Sequence, residues 1–396
     1  MKSAGESNQS RSQKPIYRDT NLQILFGITL TAVLGVSIIT PAFPKIVQEL
    51  NISPQDVGLL ITVFTFPSVI LALILGVFAD QFGRKKILVP SLMLFGLAGG
   101  ACAFARDFNL LLALRFFQGI GAASLLFLTI TIMGDLFSGE ERTTAIGYYT
   151  SVLSVGTAIY PAVGGALAML GWYYPFLLSI IAIPVGLLVL FSLKNPEPKK
   201  KRHIKEYLSN TLNRIKNRQA VGLLVASTIT FIIFYGAYLT YFPLLIGHSF
   251  GGSSLIIGLI MASMPLTTAF TSSQLGKLAK VCSERNLIKA AFVLYALALV
   301  IIPFVPNLWL LLIPTLIFGF AQGINIPSRV TLLAGLAPMR HRAAFMSINE
   351  MVVRLGQTLG PLLMGVIFGI WGIGGVFYVG AGFSIAMFTL AVIMIK

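Results

Sequence analysis

The order of apolar and polar positions is the strongest signal in this chain. Long apolar runs alternate with short polar breaks. A helix needs about 20 apolar residues to cross the hydrocarbon core of a bilayer. Twelve segments meet that length: 22–44, 57–79, 87–105, 108–135, 143–169, 173–193, 220–246, 254–276, 287–305, 308–337, 343–370 and 374–395. Backbone groups in lipid must be satisfied internally, and the short alternating strands of a barrel are absent, so the runs are predicted as helices. The first run is too long for a cleavable leader, and "GVSIITPAFPKI" at its end lacks a small-residue cleavage pattern.

Composition agrees with this pattern. Hydrophobic residues make up 56% of the chain and charged residues only 11%, against about 25% charged in soluble domains. The expected class is an all-α, multi-pass membrane protein. The net charge of +16 would suggest nucleic acid in a soluble protein. Here the cations sort by side. The N-terminal tail, the 2–3, 4–5, 6–7, 8–9 and 10–11 loops and the C-terminus hold 24 of the 29 Lys and Arg, while the opposite loops hold Lys45 and Arg106. The positive-inside rule then places both termini in the cytoplasm of a cell membrane and removes the reason to invoke nucleic acid. The most basic loop, around Lys199, Lys200, Lys201 and Arg202, is suited to anionic lipid headgroups as well as to fixing topology, and "RHIKEYLSNTLNRIKNR" has the makings of a short interfacial helix.

That loop divides the chain into a tail (1–21), a six-helix bundle (22–193), a basic linker (194–219) and a second six-helix bundle (220–396). The halves echo one another. "FFQGI" at 116–120 matches "FAQGI" at 320–324. "GTAIYPAVGG" at 156–165 matches "GQTLGPLLMG" at 356–365, "AFPKI" at 42–46 matches "YFPLL" at 241–245, and Gly58 matches Gly258. A nearly constant offset implies a duplicated unit, with the two bundles related by a pseudo-two-fold axis along the membrane normal. Parallel repeats of this kind build carriers that rock around a midplane site.

Three local motifs stand out against this background. "GVFADQFGRKK" carries Gly76, Asp80, Gly83, Arg84 and Lys85 between the second and third runs. "LALRFFQGIGAA" carries Arg115, Gln118, Gly119 and Gly121 in the fourth. "GTAIYPAVGG" carries Gly156, Pro161, Gly164 and Gly165 in the fifth. In this order, and from about residue 20 to the end, the chain resembles the major facilitator superfamily, in particular its twelve-span drug/proton antiporters. The resemblance implies that Asp80 faces the start of helix eleven and latches the cytoplasmic end, that Arg115 takes part in proton transfer, and that helix seven lines the cavity. Two departures are plain. Tyr160 stands where the fifth-helix pattern has Gly, and the second-half copy of the latch has Lys280 in place of Asp. The latch is therefore expected to be asymmetric, and Tyr160 to pack at the seam between the halves.

Of thirteen Asp and Glu, only Glu350 falls well inside a run; Arg115, Arg329 and Arg354 are the cations inside runs. An intramembrane carboxylate is costly and points to function. Glu350 and Arg329 both sit about eight residues, or roughly 12 Å, from the cytoplasmic ends of their helices. Arg354 shares the face of Glu350. Glu350 is either a proton carrier or half of a permanent buried ion pair. With no acid in the first run, Asp135 and Asp80 are the other proton-site candidates. Arg115 has a second reading, as a tie to the backbone of helix one.

The cavity candidates are Tyr235 and Tyr238 on helix seven, Asn325 and Arg329 on helix ten, and Asn349 and Arg354 on helix eleven. The tyrosines and asparagines are equally readable as packing or interhelical bonds. The composite expectation is a secondary transporter with alternating access, exporting hydrophobic or amphipathic drug-like compounds against protons. It would work as a monomer among membrane lipids, with a small-molecule substrate, no cofactor and no metal. The alternative is a carrier for a specific solute or anion such as a sugar, organic acid or phosphorylated compound; a lipid carrier or a non-transporting sensor ranks lower. An enzyme lacks a clustered nucleophile, base or metal set, and a channel lacks a charged ring or filter loop.

Overall fold

Loop polar residues in this chain cap helices. Asp19 accepts from the amides of Asn21 and Leu22 at the start of the first helix (2.8 and 3.1 Å), and Asp107 accepts from Leu110 at the start of the fourth (2.9 Å). Asn217, Ser253, Ser283 and Asn307 do the same further along. Each cap satisfies amides that the first turn leaves without partners. The computed structural model describes residues 16–194, 217–336 and 342–395. The N-terminal tail to residue 15, and the linker segment 195–216 with its expected interfacial helix, lie outside the described residues.

The helices are α1 (Thr20–Glu49), α2 (Leu59–Phe82), α3 (Arg84–Cys102), α4 (Phe108–Leu136), α5 (Gly139–Leu170), α6 (Tyr174–Ser192), α7 (Arg218–Phe250), α8 (Ser254–Ser273), α9 (Glu284–Phe304) and α10 (Leu308–Leu336). The last helical stretch, Arg342–Met394, is interrupted at Gly372, whose φ of 66° and ψ of −169° break the helix. It therefore supplies two crossings, α11 (342–371) and α12 (373–394). Twelve crossings follow, within a few residues of the apolar runs. Large apolar side chains such as Phe104, Phe191, Phe270 and Trp371 are exposed on the outside, which suits a lipid-facing surface. Each half has its own aromatic core: Phe43, Phe95 and Trp172 in the first, and Tyr238, Tyr295 and Phe318 in the second.

Gly83 separates α2 from α3. It has φ +101° with open space around it, so the turn requires glycine for its backbone conformation. Gly76 is different. A Cβ there would meet only Phe127, at 3.7 Å, an ordinary contact, so no close backbone approach requires glycine at this position. Helix α7 is irregular: Ile233–Tyr241 winds as a π-helix, and Thr240 Oγ1 donates to the Tyr235 carbonyl five residues back (2.7 Å). Stretches of this kind recur at functional sites.

The halves meet chiefly through α5 with α8 and α2 with α11. Both contacts use the repeated motif positions. A Cβ on Gly258 would lie 2.2 Å from the Pro161 carbonyl oxygen, and one on Gly58 would lie 3.2 Å from that of Pro361. A Cβ on Gly165 would lie 2.3 Å from the Ser254 carbonyl. Thr62 Oγ1 donates to the Thr358 carbonyl (3.1 Å), the Thr358 hydroxyl bonds that of Thr65 (3.0 Å), and Tyr241 Oη donates to the Gln55 carbonyl (3.0 Å). All these ties lie toward the end remote from the termini. In this structure the bundle is closed at that end.

The seam glycines separate two kinds of packing. Gly119→Ala places a methyl against the Phe64 backbone within one half, and should lower stability by about 1–3 kcal/mol, read as a lower Tm of the solubilised protein. Gly258→Ala should instead leave each half folded and open the remote end. Spin labels on the outer ends of α5 and α8 should then show longer distances, and unchanged distances would contradict this role for the seam.

Candidate functional site

At the end that carries the termini, Arg84 holds a charge cluster together. It pairs with Asp80 four residues earlier (3.7 Å) and with Asp135 at the end of α4, and it donates to the Thr131 carbonyl (3.2 Å). Lys85 caps α6 through the Leu193 carbonyl (3.3 Å). Every partner belongs to the first half. Among the described residues Asp80 has no partner on α11, and its side chain is 45% exposed. Among the described residues, the partners of this cluster are all in the first half, and the segment just before α11 lies outside them. Asp135 is engaged by Arg84. The second-half segment, Leu275–Val281, is a separate short helix with Lys280 exposed.

Arg115 is fully buried. Its Nε donates to the Leu60 carbonyl on α2 (3.1 Å). Its Nη1 donates to the Gly35 carbonyl on α1 (2.9 Å) and to Gln118 Oε1 (2.7 Å). The guanidinium lies over the Phe64 ring. Gln118 then donates to Ser179 on α6 (3.0 Å). In this structure Arg115 is the tie between helices that the second reading described. The glycines beside it admit neighbouring backbone: a Cβ on Gly121 would lie 2.5 Å from the Phe95 amide. In α5, Gly164 faces the Ile38 carbonyl of α1 (1.9 Å from a built Cβ), and Gly156 faces Leu30 (3.0 Å).

The second half has a matching internal network. Arg329 donates to the Ala226 carbonyl (3.2 Å) and to Thr230 Oγ1 (3.0 Å) on α7. Asn325 donates to the same hydroxyl (2.9 Å). Tyr295 donates to Gln322. Asn349 accepts from Ser227 (2.6 Å). All are buried. Tyr238 is stacked on Phe242 and Phe318, and its hydroxyl reaches the Met261 carbonyl (3.4 Å). Four expected cavity contacts, Tyr238, Asn325, Arg329 and Asn349, are therefore packed inside the second half here and do not line a cavity. The cause is common to all: intramembrane polar groups find helix partners first.

What remains is one stripe on α11. Glu350, Arg354, Thr358 and Pro361 recur at helical spacing, and Thr358 and Pro361 already touch α2 of the other half. The stripe therefore faces the first half. Glu350 is exposed and forms no ion pair among the described residues, so a permanent pair with Arg329 or Arg354 is not present here. Arg354 is part-buried and donates to Gln357 Oε1 (2.9 Å). Tyr149 on α5 lies within electrostatic reach of both Glu350 and Arg354, and Tyr235 within reach of Arg354. Of the expected residues, the structure brings together Glu350, Arg354 and Tyr235. Tyr149 was not singled out in the sequence; only its position twelve residues before Pro161 on the seam helix could have flagged it. Tyr160 is part-exposed, with its ring against Gly156 of its own helix. Among the described residues no group of three His, Cys, Asp or Glu is placed to hold a metal ion.

The family model for the Major Facilitator Superfamily matches residues 25–248 and again 224–396. The chain belongs to this superfamily. Similar superfamily members include Multidrug resistance protein 2 of Bacillus subtilis, 26% identical over 354 residues, which cover 87% of this chain and 88% of that one. The class B tetracycline resistance protein of Escherichia coli is 24% identical over 386 residues, 91% and 94% of the two chains. Among solved structures, a bacterial homologue of the human lysosomal transporter Spinster in an inward-facing, occupied conformation superposes with TM-score 0.79 at 18% identity, covering 96% of each chain. The nucleoside transporter NupG superposes with TM-score 0.80 at 14% identity, over 96% and 99%. The superfamily fold of two six-helix halves is therefore the fold of this multi-pass membrane protein, and its substrate is a small molecule.

The buried arginines and the α11 arginine should differ in stability. Arg115→Ala and Arg329→Ala leave several buried acceptors without donors, at about 1–3 kcal/mol each, so both should lower Tm sharply. Arg354→Gln should melt close to the wild type. Equal losses in all three would contradict the division between internal ties and the α11 stripe.

Proposed function

We propose that this chain is a proton-coupled exporter of hydrophobic and amphipathic compounds, working by alternating access in the cell membrane with both termini cytoplasmic. The observation that carries the reading is Glu350, without an ion pair among the described residues, on the α11 stripe that faces the first half. The relatives named for multidrug and tetracycline resistance support the substrate class. With the termini inside, the closed end is external and the structure is the inward-facing state. Opening to the outside requires the Gly–Pro seam and the Thr62–Thr358–Thr65 bonds to part. The opposite end would close as Asp80 meets the start of α11.

In this scheme Glu350 takes a proton in one state and releases it in the other. Among the described residues, Arg329 and Tyr149 lie within electrostatic reach of it, and Arg354 shares its helix face. A carboxylate beside a cation favours its charged form, and one drawn away from it favours the neutral form. Rocking the halves changes those distances, which supplies the coupling. The energy source is the proton gradient, with no cofactor, and one chain holds both halves and acts as a monomer surrounded by lipid. The anion-carrier reading loses support because Arg115 and Arg329 are committed to carbonyls, leaving Arg354 alone.

The test is transport of a panel of cationic and neutral dyes in inside-out vesicles under an imposed proton gradient. Gradient-dependent movement should fall at least about tenfold in Glu350→Gln. Movement that survives the substitution would shift coupling to Asp135 or Asp80. Movement of organic anions alone would contradict the export reading.

A further inference from the structure

We propose that the face of α11 turned to the first half is a zwitterion site: Glu350 takes the cationic end, and Arg354 the anionic end, of an aromatic or amphipathic substrate. The inference rests on the transport reading above and gives that site its substrate class.

Glu350 and Arg354 are four residues apart, so their Cβ atoms lie about 5–6 Å apart on one face of the helix. A Glu followed by an Arg at this spacing ordinarily closes on itself. Here it does not. No ion pair joins them among the described residues, and the Arg354 guanidinium is instead directed toward Gln357, whose Oε1 accepts from Nη1 at 2.9 Å. Gln357 is only 5% exposed, so it is a fixed acceptor that draws the cation away from the carboxylate. Two opposite charges are thus held apart on one face, where a bridging ligand can meet both.

The face points to the first half. One turn above Arg354, the same stripe meets α2 at Thr358 and Pro361, while Met351, Leu355 and Leu362 occupy other faces of the helix and are exposed. Arg329 lies within electrostatic reach of Glu350, but its hydrogen bonds go to Ala226 and Thr230, so it is not a second clamp. Tyr149 and Tyr235, both within electrostatic reach of Arg354, are rings available to an apolar body.

Charge balance then selects the ligand. A bound monocation leaves Arg354 without a counter-ion as water is displaced, and a bound monoanion leaves Glu350 so. A zwitterion answers both at no net charge, and matched charges across an interface set specificity.

The test is equilibrium binding to the purified full-length protein in lipid nanodiscs, using three matched fluorescent probes: Nε-dansyl-lysine, its methyl ester (a cation) and its Nα-acetyl derivative (an anion). The wild type should bind the zwitterion at least about tenfold more tightly than either. Arg354→Gln should bring zwitterion and ester within about twofold, Glu350→Gln should do so for zwitterion and acetyl derivative, and Arg354→Lys should keep most of the preference. Gln357→Ala, which retains both charges but frees the guanidinium to pair with Glu350, should weaken zwitterion binding about fivefold or more. An ester that binds as tightly as the zwitterion, an Arg354→Gln protein that melts normally yet keeps the preference, or no binding of any probe at millimolar concentration would overturn the proposal. Dye export under a gradient, measured alongside, separates the two readings. Export without zwitterion preference leaves the transport reading standing alone, and zwitterion preference without export leaves the site but removes the pump.

Discussion

Backbone meeting backbone without a side chain between them is the contact on which the remaining architecture depends. The Pro161 carbonyl sits where a Cβ on Gly258 would be, and Pro361 stands against Gly58 in the symmetry-related place. In lipid there is no strong hydrophobic drive between helices, so close packing of small residues carries association. Such a seam is tight when closed, and at Gly58, Gly165 and Gly258 the glycine contributes no side chain to be withdrawn when it parts. The few hydrogen bonds beside it, from Thr62, Thr358 and Tyr241, join the same surfaces. That combination suits a joint that opens and closes as two rigid halves.

Rigidity within each half comes from a different use of polar groups. Arg115 and Arg329 each bind the first helix of their own half through backbone carbonyls, Gly35 in one case and Ala226 in the other. They sit at different levels along their helices and are not copies of one another in the repeat, so the two halves reach the same solution separately. Among the three intramembrane arginines, Arg115 and Arg329 are fixed inside their own halves, and Arg354 lies on the α11 stripe that faces the first half. The proposed function rests on a few groups of that stripe, on a helix that also forms the seam. Movement of the seam and the environment of Glu350 are then coupled through a single element.

Much of this was legible in the sequence. Twelve apolar runs gave twelve crossings because hydrocarbon imposes length and continuity on any helix that spans it. The repeat at an offset near 200 residues marked a duplicated unit, and the structure shows that Gly58, Pro161, Gly258 and Pro361, which lie at repeated positions, form the seam contacts. The side-chain partners were less legible. Helical spacing shows which residues share a face but not what that face meets. Tyr238, Asn325, Arg329 and Asn349 accordingly looked like cavity residues until the structure placed them against α7, α8, α9 and α10 neighbours inside one half. Glu350 and Arg354 stood out because charge within an apolar run is visible in one dimension. That Gln357 holds them apart was not, because it depends on a rotamer. The π-helical turn in α7 has no sequence signature beyond an aromatic stretch around Gly236.

The central claim is that Glu350 exchanges a proton as substrate binds. The direct measurement is proton release into weakly buffered solution when substrate is added to the purified protein. The account requires about one proton per bound substrate in the wild type and none in Glu350→Gln at equal occupancy. Equal release by both proteins would contradict it.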